Sequence, residues 1–336
     1  MELKTPGHTL WELEKMKAKA QAHANIALIK YWGKKDKDLA LPMNSSLSLT
    51  LDAFYTQTEV EFSNAFNQDR FFLDGVEDKK ALVRVSKFLD IFRGLKGTGK
   101  KALVRSKNFV PTAAGLASSA SGFAALAGAA NQALNLGLGK RELSRIARRG
   151  SGSATRSIYG GFVEWEKGYN DETSFARKID NADWDIGMVA VIVNSKKKKI
   201  SSREGMQRTV LTSPFYKEWV ESSGKDLEEI KEAITNRDFK SIGRITESNA
   251  LKMHATMFSA SPAIIYFEPG TIKAMEIVKE LREKEGISCY FTMDAGPNVK
   301  ILCRLSDGEK IKKRLMEEFE KDSIVISGVG PSLSII

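Results

Sequence analysis

This chain predicts an α+β protein of two domains, and three observations lead there. Alternating apolar segments and segments of helical periodicity come in blocks, not in strict strand–helix succession. With 336 residues, the chain exceeds what one hydrophobic core usually serves. A fresh strand-rich pattern starts near Trp184, which puts the expected boundary between residues 1–183 and 184–336.

The elements follow in order. Residues 1–20 read as a charged extension, with a short helix over 10–16. Residues 22–29 form a strand that runs into Lys30-Tyr31-Trp32-Gly33-Lys34. Segments 46–51 and 56–62 alternate as strands, and 70–73 continues the pattern. Between 78 and 92, Leu82, Val85, Phe88, Leu89 and Phe92 recur at helical spacing. Residues 101–109 return to strand, and 122–134 are so rich in Ala and Leu that they predict a helix. A short basic helix over 140–149 opens onto residues 150–156, followed by an aromatic strand at 161–165.

In the second unit, 188–194 is a Val-rich strand of the buried type. Several helices follow between 202 and 257, with breaks expected at Ser213-Pro214 and at 222–224. An amphipathic helix over 271–284 precedes two strands, 289–293 and 299–304, which flank the turn Asp294-Ala295-Gly296-Pro297. A helix over 309–320 and a strand at 323–327 close the chain. This order predicts an open sheet covered by helices on one face.

Composition narrows the function. Hydrophobic residues make up 42% and charged residues 28%, as in ordinary soluble globular proteins. The longest apolar run, 188–193, is far short of a bilayer span, and no signal-peptide pattern opens the sequence. The two cysteines, Cys289 and Cys303, form no CxxC pair. That argues against a zinc site or a disulfide framework and suits a reducing cytoplasm. The 52 Lys+Arg against 42 Asp+Glu give a net charge of +10. Such an excess suits nucleic acid, anionic lipid or small polyanions. No RNA-binding signature or basic amphipathic helix is present, and the lysine run at 196–199 reads as a solvated turn. Small acidic substrates fit better.

Four segments hold candidate chemistry. The first is Pro111-Thr112-Ala113-Ala114-Gly115-Leu116-Ala117-Ser118-Ser119-Ala120-Ser121, placed between a strand and a helix. There, unpaired N–H groups and the helix dipole favour an anion, and the serines add hydroxyl donors. It lacks the Gly-Lys-Ser/Thr ending of a Walker loop, and a serine-capped core helix is an equally open reading. The second segment brackets Tyr31 and Trp32 with Lys30 and Lys34, where an ammonium and a phenol can grip phosphate. The third, Arg148-Arg149-Gly150-Ser151-Gly152-Ser153-Ala154-Thr155-Arg156, gathers guanidinium, hydroxyl and backbone donors and reads as an anion cradle. The fourth, Asp294, is either a turn former or a carboxylate aimed into an interdomain cleft as a general base. Ser201-Ser202-Arg203 is a weaker signal, because serine before a helix is usually its cap. His8, His23 and His254 suggest no Ser-His-Asp set.

Together, residues 25–34, 41–48, 111–121 and 148–156 resemble the diphosphomevalonate decarboxylases, in their bacterial form. These belong to the superfamily of galactokinase, homoserine kinase, mevalonate kinase and phosphomevalonate kinase. The resemblance runs from about residue 22 to the C-terminus. It implies a two-domain GHMP-kinase fold, with a ribosomal S5 domain 2-like N-terminal domain and a ferredoxin-like C-terminal domain. It also implies ATP-dependent decarboxylation of mevalonate 5-diphosphate.

By this resemblance Asp294 matches the catalytic aspartate, and Arg156 the arginine that holds substrate carboxylate and aspartate in register. Asn25 is expected beside them. Tyr31, Trp32, Gly33, Lys34, Ser151, Gly152, Ser153, Ala154, Thr155 and Arg203 match the substrate site. Asn108, Pro111, Gly115, Leu116, Ala117, Ser118 and Ser119 match the ATP site, with Lys198 or its neighbour reaching the γ-phosphate. Magnesium is expected on the ATP phosphates, because no acidic ligand stands out near 157–165. A cytoplasmic homodimer with no membrane or nucleic-acid partner is the further expectation. A mevalonate monophosphate decarboxylase or mevalonate 3-kinase is the alternative within the enzyme class. A basic nucleic-acid-binding module on a related fold is the remote one.

Overall fold

The computed structural model describes residues 16–109, 119–194 and 200–336. Two long antiparallel strands, β1 (Lys17–Ile29) and β2 (Ser46–Ser63), form the frame of the first half. β3 (Arg70–Leu73) and β4 (Val76–Glu77) make a small hairpin that leads into α1 (Lys79–Lys96). The Asp78 side chain caps this helix by accepting from the Ala81 N–H, and Gly97 ends it at φ 69°, a left-handed position that suits glycine. β5 (Lys101–Phe109) returns beside β2, parallel to β3. α2 (Ser119–Ala133) and α3 (Lys140–Gly150) follow, then a 3-10 helix over Gly152–Ile158. β6 (Phe162–Trp165) and β7 (Ala176–Asp180) complete this half.

The second half runs β8 (Gly187–Val191), α4 (Ser202–Thr212), α5 (Tyr216–Thr235), α6 (Phe239–Phe258), α7 (Pro269–Lys284), β9 (Cys289–Met293), β10 (Val299–Cys303), α8 (Gly308–Leu315), β11 (Ile324–Ser327) and β12 (Ser334–Ile335). The first sheet has eight strands, with the path β12-β1-β2-β5-β3-β4 and β6 and β7 branching from β2. The branch exists because β2 divides one edge. Its first residues pair with β6, and Tyr55 onward pairs with β5. The second sheet is antiparallel in the order β11-β8-β10-β9. With helices between its first and second strands and between its third and fourth, it has ferredoxin-like connectivity. The molecule is thus α+β with two sheets.

Several expectations change. Lys17–Ala20, assigned to an extension, already lie in β1, where Lys17 pairs with Glu61. The expected helix over 10–16 lies outside the described residues but for Met16, which precedes β1. The two strands expected at 46–51 and 56–62 form one. The interruption survives as a register shift opposite Ala24, where the Asp52 and Ala53 N–H groups turn to Gly328 O and Ser327 Oγ. Residues 222–224 do not break α5: Ser223 is fully buried there, and the Asn249 amide donates to it at 3.3 Å. Residues 152–156, read from sequence as part of an anion cradle with no element assigned, fall in a 3-10 helix.

The second sheet is covered on both faces instead of one. Val189, Val191, Ile301 and Cys303 pack against α7 and α8. Met188, Ala190 and Leu302 join a core with β1, β2, α5 and α6. An unbroken apolar strand buries both faces, as the Val-rich run at 188–194 already implied. The core shared between the halves frames one large cleft.

Candidate active site

Where β1 ends, the 3-10 helix starts, α4 begins and the β9–β10 turn comes round, they surround a cavity of about 1220 Å³. Asn25, Lys30, Tyr31, Lys34, Ser119, Ser151, Gly152, Ser153, Arg156, Arg203 and Asp294 all line it. Residues more than 250 positions apart in the chain therefore face one space.

Asp294 sits just past β9, in a turn drawn tight by the Gly296 N–H donating to its carbonyl at 2.8 Å. Lys30 donates to its Oδ1 at 2.8 Å, and Lys300 Nζ lies 3.3 Å from Oδ2. Both lysine side chains are almost wholly buried, while the carboxylate stays 39% exposed to the cleft. Burial lowers the Lys30 pKa to about 8, with Asp294 opposing the shift and Lys300 and Arg156 adding to it. The backbone around Lys30 is pinned as well: its N–H donates to Asn249 Oδ1 on α6, and its carbonyl accepts from the Asn44 amide.

Arg156 is buried on the 3-10 helix. It donates through Nε to Asn25 Oδ1 at 3.1 Å and through Nη1 to Ser46 Oγ at 2.5 Å. The Asn25 amide in turn donates to Ser153 O and Ser157 Oγ. These bonds fix the plane of the guanidinium. Burial lowers the Arg156 pKa to about 10, and the charge of Asp294 opposes that shift.

Toward the mouth lies a cationic rim. Tyr31 packs against Trp165 with ring centroids 4.7 Å apart, and its buried hydroxyl has no partner among the described residues. Burial pushes that phenol well above its ordinary range, against the charges of Arg156, Arg203 and Arg148. It is therefore a neutral donor aimed at the cleft. Gly152 lies against the Tyr31 ring so closely that a Cβ there would stand 2.7 Å from Cε1. Ser151 Oγ is 2.9 Å from Ser119 Oγ at the start of α2. Lys34 has its pKa lowered, first by burial and then by Arg203 and Arg84. Arg84 is lowered to about 10 by burial and by Arg203. Cations that depress one another in a partly buried site call for an anion.

The remaining expected residues are placed differently. Ala154 and Thr155 are buried in the interior, and the Thr155 hydroxyl donates to Ser144 O on α3. Gly33 bends the chain at φ 121°, and Tyr216 fills the place a side chain would take. Trp32 packs with Tyr216, Trp219 and Met253 as well as edging the cleft. Asn108 is held by Asp74 and by the Thr56 hydroxyl, on β5. Pro111, Gly115, Leu116, Ala117, Ser118 and Lys198 lie outside the described residues.

Sequence reasoning assigned no role to Lys300, Arg84 or Ser46 and read Lys30 only as a bracket to the aromatic pair. Lys30 and Lys300 did leave a signal: each is a lone lysine in a strand-like apolar run, where burial needs a partner.

Comparison with known proteins agrees over nearly the whole chain. The family described as diphosphomevalonate decarboxylase-like N-terminal domain matches residues 22–176. The mevalonate 5-diphosphate decarboxylase C-terminal domain matches residues 188–329. Diphosphomevalonate decarboxylase of Candida albicans is 35% identical over 320 residues, covering 90% of this chain and 88% of that protein. The crystal structure of mevalonate diphosphate decarboxylase from Staphylococcus aureus superposes with a TM-score of 0.92 at 49% identity, covering 95% of this chain and 98% of that one. The structure of MDDEF in complex with MVAPP, AMPPCP and magnesium gives 0.91 at 50% identity, with the same coverage.

Proposed function

The chain belongs to the diphosphomevalonate decarboxylase family, and on that premise we propose how its cleft performs the ATP-dependent decarboxylation of mevalonate 5-diphosphate. One observation supports this reading above the others. A carboxylate held by two buried lysines stands beside a fixed arginine, at the inner end of a cleft with a cationic rim.

The tertiary 3-hydroxyl of the substrate is a poor leaving group. Asp294 orients that hydroxyl and takes its proton as the oxygen attacks the γ-phosphorus of ATP, and ADP departs with the electrons of the broken P–O bond. The C3–O bond then breaks, phosphate leaves, and the C1–C2 electrons become the new double bond. Carbon dioxide and isopentenyl diphosphate are the products. Such a transfer needs position and charge neutralisation more than covalent help.

Arg156 holds the substrate carboxylate in register, since a planar guanidinium forks onto a carboxylate where an ammonium cannot. Tyr31, Lys34, Ser151, Gly152 and Arg203 receive the diphosphate, with Ser153 beside them. ATP is assigned to Ser119, and by the family resemblance to the segment 111–118 and to Lys198 or Lys199 for the γ-phosphate, residues outside the described ones. Lys34, Arg84 and Arg203 line the cleft beside the neutral donors Tyr31, Ser119 and Ser151. In this reading magnesium is carried on the nucleotide's phosphates and completed by water.

Residues 1–183 form the nucleotide-binding domain in this reading and 184–336 the second. The active form is a cytoplasmic homodimer that binds no nucleic acid. Several of the basic side chains (Lys34, Arg84, Arg149, Arg203) face the cleft, where a small polyanion would meet them. Among the described residues, no helix is long and apolar enough to cross a membrane.

The test compares carbon dioxide and phosphate release from mevalonate, its 5-monophosphate and its 5-diphosphate. Preference for the diphosphate is expected. Preference for the monophosphate, or phosphate transfer without carbon dioxide, would replace this reading with a sister activity.

A further inference from the structure

We infer that Lys300 is a positioning residue for this reaction: it holds Oδ2 of Asp294 while Lys30 holds Oδ1, fixing the carboxylate and keeping it ionised for the 3-hydroxyl. The inference rests on the role proposed for Asp294 above.

Lys300 lies on β10, an inner strand of the second sheet, in register with Thr292 of β9. Its strand neighbours Val299, Ile301 and Cys303 are all core residues. A fold alone would be served by an apolar side chain at such a place, because a buried ammonium costs stability unless it is paired. Here it is paired, with its Nζ 3.3 Å from Asp294 Oδ2 and 3.2 Å from the Asn298 carbonyl that closes the same turn. Lys30 comes to Oδ1 from just past the end of β1, in the other half of the molecule. The carboxylate is therefore clamped across the cleft, one oxygen from each side.

The charged and titratable groups around Asp294 come from each element packed there. They are Lys30 just past β1, Arg156 from the 3-10 helix, Lys300 from β10 and His254 from α6, whose imidazole burial keeps neutral. Removing one cation from this set makes the carboxylate easier to protonate, so the acid limb of activity moves to higher pH.

The experiment measures pH profiles of Lys300→Met and Lys300→Arg with mevalonate diphosphate and ATP, alongside thermal melting. In the methionine variant the acid limb should rise by about one pH unit and kcat fall about tenfold, with KM for mevalonate diphosphate within about threefold of the parent. The arginine variant should restore the limb. A folded Lys300→Met protein with the parent's acid limb overturns the inference, as does a raised KM at unchanged kcat. If the methionine variant melts early, Lys300→Gln makes the same comparison while keeping a donor for Asn298. Failure of the parent enzyme to release carbon dioxide from mevalonate diphosphate would instead sink the proposed function.

Discussion

At the scale of single residues, the site sets three cations against one carboxylate. Lys30, Lys300 and Arg156 are positive groups gathered about one carboxylate, all four lining the same cleft. Asp294→Asn keeps the shape but cannot accept a proton. Product formation should fall about a thousandfold or more while ATP still binds, as nucleotide titration would show. Near-normal turnover would remove the base from Asp294. The pH behaviour follows from Lys30, whose pKa is lowered from 10.5 to about 8. Above that value it turns neutral and its charge is lost from Asp294 and from the anions bound beside it. kcat/KM should therefore drop along an alkaline limb centred near pH 8. In kcat that limb should move higher, since bound substrate anions favour the ammonium form. Profiles with no alkaline limb below pH 9.5, a bound set about one and a half units above this site's own value, would deny Lys30 that role. From its own residues Asp294 could be a turn former or a general base, and only the family resemblance favoured the base. Its partners were not legible, since Lys30 lies 264 positions away and only the fold brings it within reach.

At the scale of elements, the 3-10 helix Gly152–Ile158 decides how the cradle is shaped. Its three residues per turn put Ser153 and Arg156 on one side, so Ser151, Gly152, Ser153 and Arg156 face the cleft while Ala154 and Thr155 enter the core. A run of Gly, Ser and Arg announces donors, but its sequence does not say which of them point the same way. Strands and helices were easier to place. The limits of β3, β5 and β9 coincide with the expected ones because alternation changes sharply there. β7 went unseen because its Arg177, Lys178 and Asp180 leave no apolar alternation, and β12 because it is two residues long. A test at this scale is Gly152→Ala. The added methyl would stand 2.7 Å from the Tyr31 ring, so the ring must shift and its hydroxyl with it. KM for mevalonate diphosphate should rise about tenfold and stability drop by about 1–3 kcal/mol. Unchanged KM in a steady-state assay would mean that the Tyr31 hydroxyl does not meet the substrate.

At the scale of the whole molecule, the two halves share one core. Leu28, Leu47 and Leu49 from the first sheet pack in a cluster with Ile230, Ile234, Phe239 and Ile242 from α5 and α6. Hydrogen bonds cross the same seam. Lys30 N–H donates to Asn249, the Tyr216 hydroxyl donates to Trp32 O at 2.6 Å, and the Gly330 N–H donates to Thr50 O. The chain then ends by adding β12 to the edge of β1. Separating the halves would expose fully buried leucines on one side and leave orphaned polar groups on both, because beside each half's own cluster lies a third that the two share. Chains of this length often unfold in stages, but a shared core couples their transitions. Urea unfolding followed by tryptophan fluorescence and by far-UV circular dichroism should therefore give superimposable curves. Ile230→Ala removes a fully buried side chain at the seam and should lower stability by about 2–5 kcal/mol. Because the seam belongs to both halves, both signals should shift together. If only the helix signal moved, or a second transition opened between the curves, the halves would be independent units and the cleft between them a hinge.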